Sequence, residues 1–485
     1  RFPGGVLEEM EYNEKRLLTT RFRGKKDASG TIEYADRYRY DALNRLVAVS
    51  RAYYAVSGSS RTEVPSTPVT MVSYYYDSYS NVPSELAYRN DLNSGLVGVS
   101  IDYTRLRGLK TYEKVQVLDH KDHAAGYVER AFYYNMEGRL QQIVEKNPLG
   151  GIGYFSYAYD FQGNEVFRRE RIKPQSGSTE DVLTVLTTYD HAGRVVKEET
   201  TFNDSKPVVV NFEYDELGRL VGKDANSITS SYAYNLQGWL TRSSGHYYSS
   251  QLKYYDGSNP SYTGNIVTWW WQHKNIDGST NGDEYAYGYC YDDLSRLTAA
   301  QQFWSDSEGP EDSFTEKGIT YDKNSNILTL NRSSLSSEDA RSYQFSYNGN
   351  QRVKETNSNS LYGYDANGNI SGDALSGLEI SYNLLNLPSK MYGWGDYSDY
   401  YRYLADGTKI LHEYSDGQQD EYRGSLVYYS NGEFSVPFGG GRLVSEGNTT
   451  EAHYFLTDHL GSTRVVAKVT PTGRIDLDRK DYYPF

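Results

Sequence analysis

One segment of the sequence combines residue types that bind transition metals. Asp119, His120, Asp122 and His123 stand within the run DHKDH, and imidazole and carboxylate groups are common ligands of such ions. On a β-strand, His120 and Asp122 would share one face while His123 would point away from it. A solvated loop explains the same residues with fewer requirements, so we predict no metal site.

Two tryptophans offer a different chemistry, the stacking of an aromatic face on a sugar ring. Trp269 and Trp271 belong to the run WWWQH, and on a strand they would project to one side while Trp270 projects to the other. Packing within the wall of a sheet is the simpler interpretation. Glycan binding by Trp269 and Trp271 is the weaker alternative.

Acid–base chemistry would need a positioned pair of titratable groups. Asp458, His459 and Asp481 are the candidates near the end of the sequence, and we interpret His459 as a hydrogen-bonded structural residue. Pairing Asp458 with Asp481 as a protease has no support from their spacing. We therefore predict no catalytic residue and no cofactor.

The composition limits the partners and the compartment. The chain has 485 residues with 50 Lys+Arg against 64 Asp+Glu, a formal net charge of −14, which disfavours binding to a nucleic-acid backbone. Its longest apolar runs are far shorter than the roughly 20 residues that cross a bilayer, so no membrane insertion is expected.

The single cysteine, Cys290, excludes an internal disulfide framework and a Cys-based zinc site. The opening residues, Arg1 to Gly5, show neither an initiator Met nor a signal peptide and indicate a fragment of a longer protein.

The composition of the whole chain predicts an all-β fold, whose strands and turns would position any site. Tyr accounts for 50 residues and Gly for 44, and Tyr favours strands while Gly permits tight turns. Little of the sequence has helical periodicity. We therefore expect many strands joined by short turns.

A seven-residue repeat organises these strands. Its pattern is Tyr, Asp or Asn, two variable residues, Gly or Asn, a polar residue and an aliphatic residue. Eleven copies begin at Tyr40, Tyr134, Tyr159, Tyr189, Tyr214, Tyr234, Tyr291, Tyr321, Tyr347, Tyr364 and Tyr382. The predicted turn residues are Asp41, Asp160, Asp190, Asp215, Asp292, Asp322 and Asp365 at the second position and Gly138, Gly193, Gly218, Gly238 and Gly368 at the fifth.

Each copy has the chemistry of a β-hairpin. Tyr ends one strand, the Asp or Asn side chain accepts a backbone N–H two residues on, and the fifth residue adopts φ > 0. The aliphatic residue then opens the second strand. A single hairpin cannot bury its own face, so the repeats are expected to stack edge to edge into an extended sheet.

These repeats strongly resemble the Tyr-Asp (YD) repeats of the bacterial RHS family, which are shared with the C components of insecticidal Tc toxins and with teneurins. A second motif, Tyr454 to Val466 (YFLTDHLGSTRVV), is similar to the opening of the RHS-repeat-associated core, with Asp458, His459, Gly461 and Arg464 as its characteristic residues. Asp481 to Phe485 resembles the next motif of that core. Together, in this order, the motifs are highly specific.

The resemblance implies a fold and a domain organisation. The expected architecture is a strip of stacked hairpins that spirals into a hollow shell, or cocoon. Residues 1–130 would form degenerate N-terminal YD-like strands of the shell, residues 131–450 the YD-repeat shell, and residues 451–485 a truncated start of the core.

The implied function is the non-enzymatic shell of a secreted polymorphic toxin. Its partners would be a C-terminal toxin cargo in cis, absent from this chain, and a secretion-system component, and its location would be extracellular or on the bacterial cell surface. A cell-surface adhesin or glycan-binding wall protein built on the same shell is the alternative. In the family, self-cleavage uses two aspartates in Asp-Pro-x-Gly-like contexts late in the core; the sequence contains no such motif, so a self-processing protease is not expected.

Overall fold

The computed structural model describes residues 9–27, 30–57, 60–63, 69–93, 101–119, 124–175, 178–203, 205–255, 260–277, 279–304, 314–334, 340–355, 361–365, 367–373, 376–383, 385–393, 398–446, 449–470 and 475–483. These residues form a long antiparallel sheet of 38 strands and two 3-10 helices, Ser84–Leu86 and Asn90–Asn93. The all-β prediction is therefore confirmed. Both histidines of the DHKDH run lie outside the described residues.

The strands are short and follow one another closely along the chain. The first nineteen are β1 (Glu9–Tyr12), β2 (Leu18–Asp27), β3 (Gly30–Tyr40), β4 (Leu46–Ser57), β5 (Ser60–Glu63), β6 (Val69–Tyr76), β7 (Lys110–Leu118), β8 (Ala124–Tyr134), β9 (Leu140–Lys146), β10 (Ile152–Tyr159), β11 (Glu165–Ile172), β12 (Asp181–Tyr189), β13 (Val195–Phe202), β14 (Val208–Tyr214), β15 (Leu220–Ala225), β16 (Ile228–Tyr234), β17 (Leu240–Gly245), β18 (Tyr248–Lys253) and β19 (Thr268–Lys274). The others are β20 (Thr280–Tyr291), β21 (Leu297–Trp304), β22 (Glu316–Tyr321), β23 (Ile327–Arg332), β24 (Arg341–Asn348), β25 (Gln351–Glu355), β26 (Tyr362–Tyr364), β27 (Ile370–Asp373), β28 (Leu378–Tyr382), β29 (Pro388–Tyr392), β30 (Ser398–Leu404), β31 (Lys409–Tyr414), β32 (Gln419–Arg423), β33 (Leu426–Tyr428), β34 (Phe434–Phe438), β35 (Gly441–Glu446), β36 (Thr449–Thr457), β37 (Thr463–Val469) and β38 (Ile475–Arg479).

The chain divides into two compact units, each made of two stretches of sequence. The first comprises Arg1–Val185 and Tyr362–Gly432, and the second comprises Leu186–Leu361 and Glu433–Phe485. Strand β12 runs across the boundary. The three segments that the resemblance implies, residues 1–130, 131–450 and 451–485, stay a prediction.

Within each unit, most strands pair with their neighbours in sequence. In the first unit, β8 pairs with β9, β9 with β10 and β10 with β11. In the second unit, antiparallel pairs run without a break from β14 to β19. These pairings join the hairpins edge to edge, as the repeat pattern predicts. The first unit also has one long-range pair, in which β30 lies beside β7.

The apolar faces of these strands form the core of each unit. In the first unit, Met71, Val115 and Val128 pack with Leu404 and Leu411, which come from strands late in the chain. No helix in the described part of the chain is long and apolar enough to cross a membrane.

Candidate functional site

The heptads lie at the hairpin turns. Ten of the eleven heptad tyrosines are the last residue of a strand, and Tyr347 is the last but one of β24. In the turn between β14 and β15, Asp215 Oδ1 accepts the N–H groups of Leu217 at 3.0 Å and Arg219 at 2.9 Å. Gly218 has a φ of 82°, and its N–H donates to the carbonyl of Asp215. The left-handed conformation recurs at the same heptad position in Asn44, Gly138, Gly193, Gly238, Ser295, Ser325, Gly368 and Asn386.

The turn aspartates act as local acceptors. The pKa of Asp190 falls to about 2 because its carboxylate accepts the backbone N–H of Arg194 and is also bonded by the Arg194 guanidinium. The guanidinium of Arg219 binds Asp215 in the same way, with Nε donating to Oδ2 at 2.7 Å. These carboxylates are engaged in holding the turn and are poorly suited to proton transfer at neutral pH.

A ladder of tyrosine hydroxyls connects many of the hairpins to the hairpin before them. Tyr234 Oη donates to the carbonyl of Leu220 at 2.8 Å, which is the residue that opens the second strand of the preceding hairpin. Twelve such bonds occur among the described residues. The other donors and acceptors are Tyr40 and Leu18, Tyr76 and Leu46, Tyr134 and Lys110, Tyr214 and Val195, Tyr254 and Leu240, Tyr291 and Ile266, Tyr321 and Leu297, Tyr347 and Ile327, Tyr382 and Ile370, Tyr403 and Pro388, and Tyr482 and Thr463.

The heptad arginines reinforce this ladder. The Arg219 guanidinium lies 5.0 Å from the ring centroid of Tyr234 and donates to the carbonyl of Asn235, in the next turn, at 3.3 Å. Arg194 stands in the same relation to Tyr214, at 4.8 Å. Burial raises the pKa of Tyr134 and of Tyr291 to about 12, so these phenols stay protonated and remain donors.

The Asp458 to Arg464 motif folds as one more hairpin turn of this kind. Asp458 Oδ1 accepts the N–H groups of Leu460 at 2.9 Å and Ser462 at 3.0 Å, and Gly461 has a φ of 87°. The hydroxyl of Tyr482 bonds the carbonyl of Thr463 that opens β37. Thus the motif that resembles the start of the RHS core has the geometry of the repeats.

Its arginine, however, is buried at the centre of a polar and aromatic cluster. Arg464 Nε donates to Asp458 Oδ2 at 2.8 Å, and the two side chains are 2% and 1% exposed. A terminal nitrogen of Arg464 also bonds Asp481 Oδ1 at 3.2 Å. The guanidinium lies 4.5 Å from the ring of Trp269, 5.4 Å from that of Trp271 and 4.9 Å from that of Tyr482.

Asp481 joins this cluster to strand β19. Its carboxylate accepts the Trp271 Nε1–H at 2.9 Å and lies 3.1 Å from His273 Nε2. Burial alone would raise the pKa of Asp481, but the hydrogen bonds from His273 and Trp271 and the charge of Arg464 lower it below its usual value. His459 packs edge-on against Trp269 at 4.8 Å, and burial lowers its pKa. We call these residues the Arg464 cluster: Trp269, Trp271, His273, Asp458, His459, Arg464, Asp481 and Tyr482.

Comparison with known proteins gives similarity at the level of solved structures only. No family model matches the sequence, and no curated protein matches it. Crystal structures of TcdB2-TccC3-Cdc42, TcdB2-TccC3-TEV and TcdB2-TccC3 match 99% of this chain with TM-scores of 0.45, 0.42 and 0.45 and identities of 13%, 13% and 12%. The chain spans 28%, 30% and 31% of the lengths of those chains.

The placement of the tryptophans bears on the glycan alternative. Trp269 and Trp271 are each 2% exposed, and the Arg464 guanidinium lies close to both rings. A sugar has no access to either indole face in this arrangement, so the structure gives the glycan interpretation no support. Among the described residues, no group of three or more His, Cys, Asp or Glu side chains is arranged to hold a metal ion.

Sequence reasoning missed the connection of Asp481, Tyr482 and His273 to the motif. The partners of Asp481, Trp271 and His273, lie more than two hundred residues away along the chain. A usable signal was present, because the arginine of this turn stands two residues later than in the repeats. Arg464 lies within strand β37, whereas a repeat arginine such as Arg219 lies in the turn before its strand. Arg464 is therefore expected to have a different environment from the arginines of the exposed turns.

Proposed function

We propose that this chain is the non-enzymatic wall of a protein shell that encloses a toxin domain. The observation that carries the proposal is the Asp458 to Arg464 motif, which continues the tyrosine ladder and is bonded through Asp481 to strand β19. This motif and the repeats are the two features in which the sequence resembles the RHS family. A series of stacked hairpins that includes the motif resembling the start of the core suits a container better than it suits an enzyme.

The chemistry of the Arg464 cluster supports a structural role. Asp458 accepts two backbone N–H groups and the Arg464 guanidinium, and Asp481 accepts from three side chains. The pKa of Asp481 lies below its usual value, and a carboxylate that stays ionised at neutral pH is a poor general acid. We therefore assign the cluster to holding the core motif against the repeat strands.

The proposed partners and location follow from the same assignment. The cargo would be a toxin domain encoded in cis after the core, and a secretion-system component would deliver the complex. The protein would act outside the producing cell or at its surface. Membership of the RHS family, with its relation to Tc toxin C components and teneurins, is part of this proposal.

Protease protection of the full-length gene product tests the proposal. The segment that follows the core should resist digestion in the intact protein and become sensitive in the variant Arg464→Met, which breaks the cluster. The matched control is Arg219→Met, which removes an arginine from an ordinary repeat turn. A full-length product with no protected segment would refute encapsulation, and specific binding to a glycan array by such a product would favour the adhesin alternative.

A further inference from the structure

The second unit contains a small cavity between repeat strands and the strand that leads into the core motif. Its walls come from β15, β16, β17 and β18 on one side and from Gly440 and residues 454–457 on the other. The volume is about 40 Å³. A space of this size holds one or two waters or one small ion.

Small side chains on one face of the sheet create this space. Lys223 of β15 stands opposite Ser230 of β16, and Ser230 stands opposite Gly245 of β17. One step along the same face, Tyr232 stands opposite Ser243. Ser230 and Ser243 line the cavity, and their side chains are smaller than the aliphatic residues that would fill this space.

The groups around the gap are hydrogen-bond donors. Tyr248 is 2% exposed, and its hydroxyl has no hydrogen-bond partner among the described residues. Tyr454 is also 2% exposed, and its oxygen accepts from Asn226 Nδ2 at 2.8 Å, which leaves its own proton available. Ser243, 7% exposed, lies in the same wall.

Lys223 supplies the positive charge. Its ammonium group lies against Gly440, where any Cβ would collide with Nζ. Burial lowers the pKa of Lys223, and the charge of Glu198 acts against that effect. No carboxylate in the described part of the chain forms an ion pair with Lys223. The carboxylate of Glu198, whose charge acts on Lys223, accepts the N–H of Gly439 at 2.5 Å.

We propose that this cavity binds one small monovalent anion of the size of chloride or bromide. A partly buried ammonium beside convergent hydroxyl donors favours an anion over a cation, and the small volume suits a monatomic ion. The bound ion would accept hydrogen bonds from the Lys223 ammonium group and from the Tyr248 hydroxyl. Because β36 forms one wall, binding would stabilise the contact between the repeats and the strand that enters the core motif.

Bromide is the probe for this site. Crystals of the protein soaked in sodium bromide should show an anomalous peak beside Lys223 Nζ, and crystals of Lys223→Met should lack it. In solution, the melting temperature of the wild type should rise with bromide at constant ionic strength when gluconate, which is too large for the cavity, is the balancing anion.

Two variants separate this site from general salt effects. Lys206→Met makes the same change in net charge at an exposed position in the same unit and should keep the bromide-dependent rise. Tyr248→Phe removes one donor without changing the fold and should shift the half-maximal bromide concentration upward several-fold. The proposal is overturned if the cavity holds only water in bromide, or if Lys223→Met keeps the same rise as Lys206→Met.

Discussion

Replacement of Arg464 by Met should destabilise the second unit far more than the same replacement in an ordinary repeat. Methionine is close to arginine in length, so Arg464→Met retains much of the packing between Trp269 and Tyr482. What it removes is the buried charge that bonds Asp458 at 2.8 Å and Asp481 at 3.2 Å.

The expected magnitude follows from the burial of the pair. With side chains 2% and 1% exposed, loss of one partner leaves an uncompensated carboxylate, which typically costs about 3–5 kcal/mol. The pair between Arg219 and Asp215 is 29% and 23% exposed, and pairs nearer the solvent contribute roughly 0.2–1 kcal/mol. Arg464→Met should therefore lower the free energy of unfolding several times more than Arg219→Met.

Amide hydrogen exchange provides the assay, because it reports the opening of individual strands. The amides of β37 should lose protection in Arg464→Met and keep most of it in Arg219→Met. Adding Asp458→Asn to Arg464→Met should restore part of the protection, since the amide oxygen still accepts from Leu460 and Ser462 but carries no charge. Equal effects of the two arginine variants, or no recovery in the double variant, would refute a buried ion pair as the source of stability.

Three further predictions concern the repeat turns. Gly238→Val should lower the free energy of unfolding by about 1–2 kcal/mol, because φ is 84° and strain alone acts where an added Cβ would meet open space. Gly238→Asn should be nearly neutral, and equal melting temperatures for the two variants would contradict this. Tyr234→Phe removes the hydroxyl that bonds Leu220 and should weaken protection of the β16–β17 hairpin by roughly 0.5–1.5 kcal/mol, measured by hydrogen exchange. NMR titration should give Asp190 a pKa of about 2, so it stays ionised as the pH falls to that value; Arg194→Gln should raise the pKa only part of the way to normal, because the backbone N–H still donates.

The turns could be predicted from the sequence because each is a local structure. Asp215 bonds N–H groups two and four residues away, so the heptad itself contains the donors, the acceptor and the glycine. Because a single hairpin cannot bury its own face, the repeat also predicted the edge-to-edge pairing of the hairpins. Residue types and short-range hydrogen bonding were sufficient at this level.

The ladder and the Arg464 cluster depend on contacts that no short pattern contains. The partner of the Tyr234 hydroxyl is a backbone carbonyl in another hairpin. Because every residue has a backbone carbonyl, the sequence does not show which one accepts the bond. Asp481 meets Trp271 across 210 residues. Periodicity placed Trp269 and Trp271 on one face but could not identify the cation that covers them.

The tyrosine ladder has a consequence for how such a chain can change in length. Where the ladder is continuous, a hairpin presents a phenol to one neighbour and a carbonyl to the other, as Tyr214 and Leu220 do on the two sides of one turn. Duplication or loss of one whole hairpin therefore leaves a matching donor and acceptor at the new junction. Insertion of a single residue within a strand would instead turn the following side chains to the opposite face. Evolution can thus adjust the extent of this sheet by copying complete hairpins, without inventing a new interface at each step.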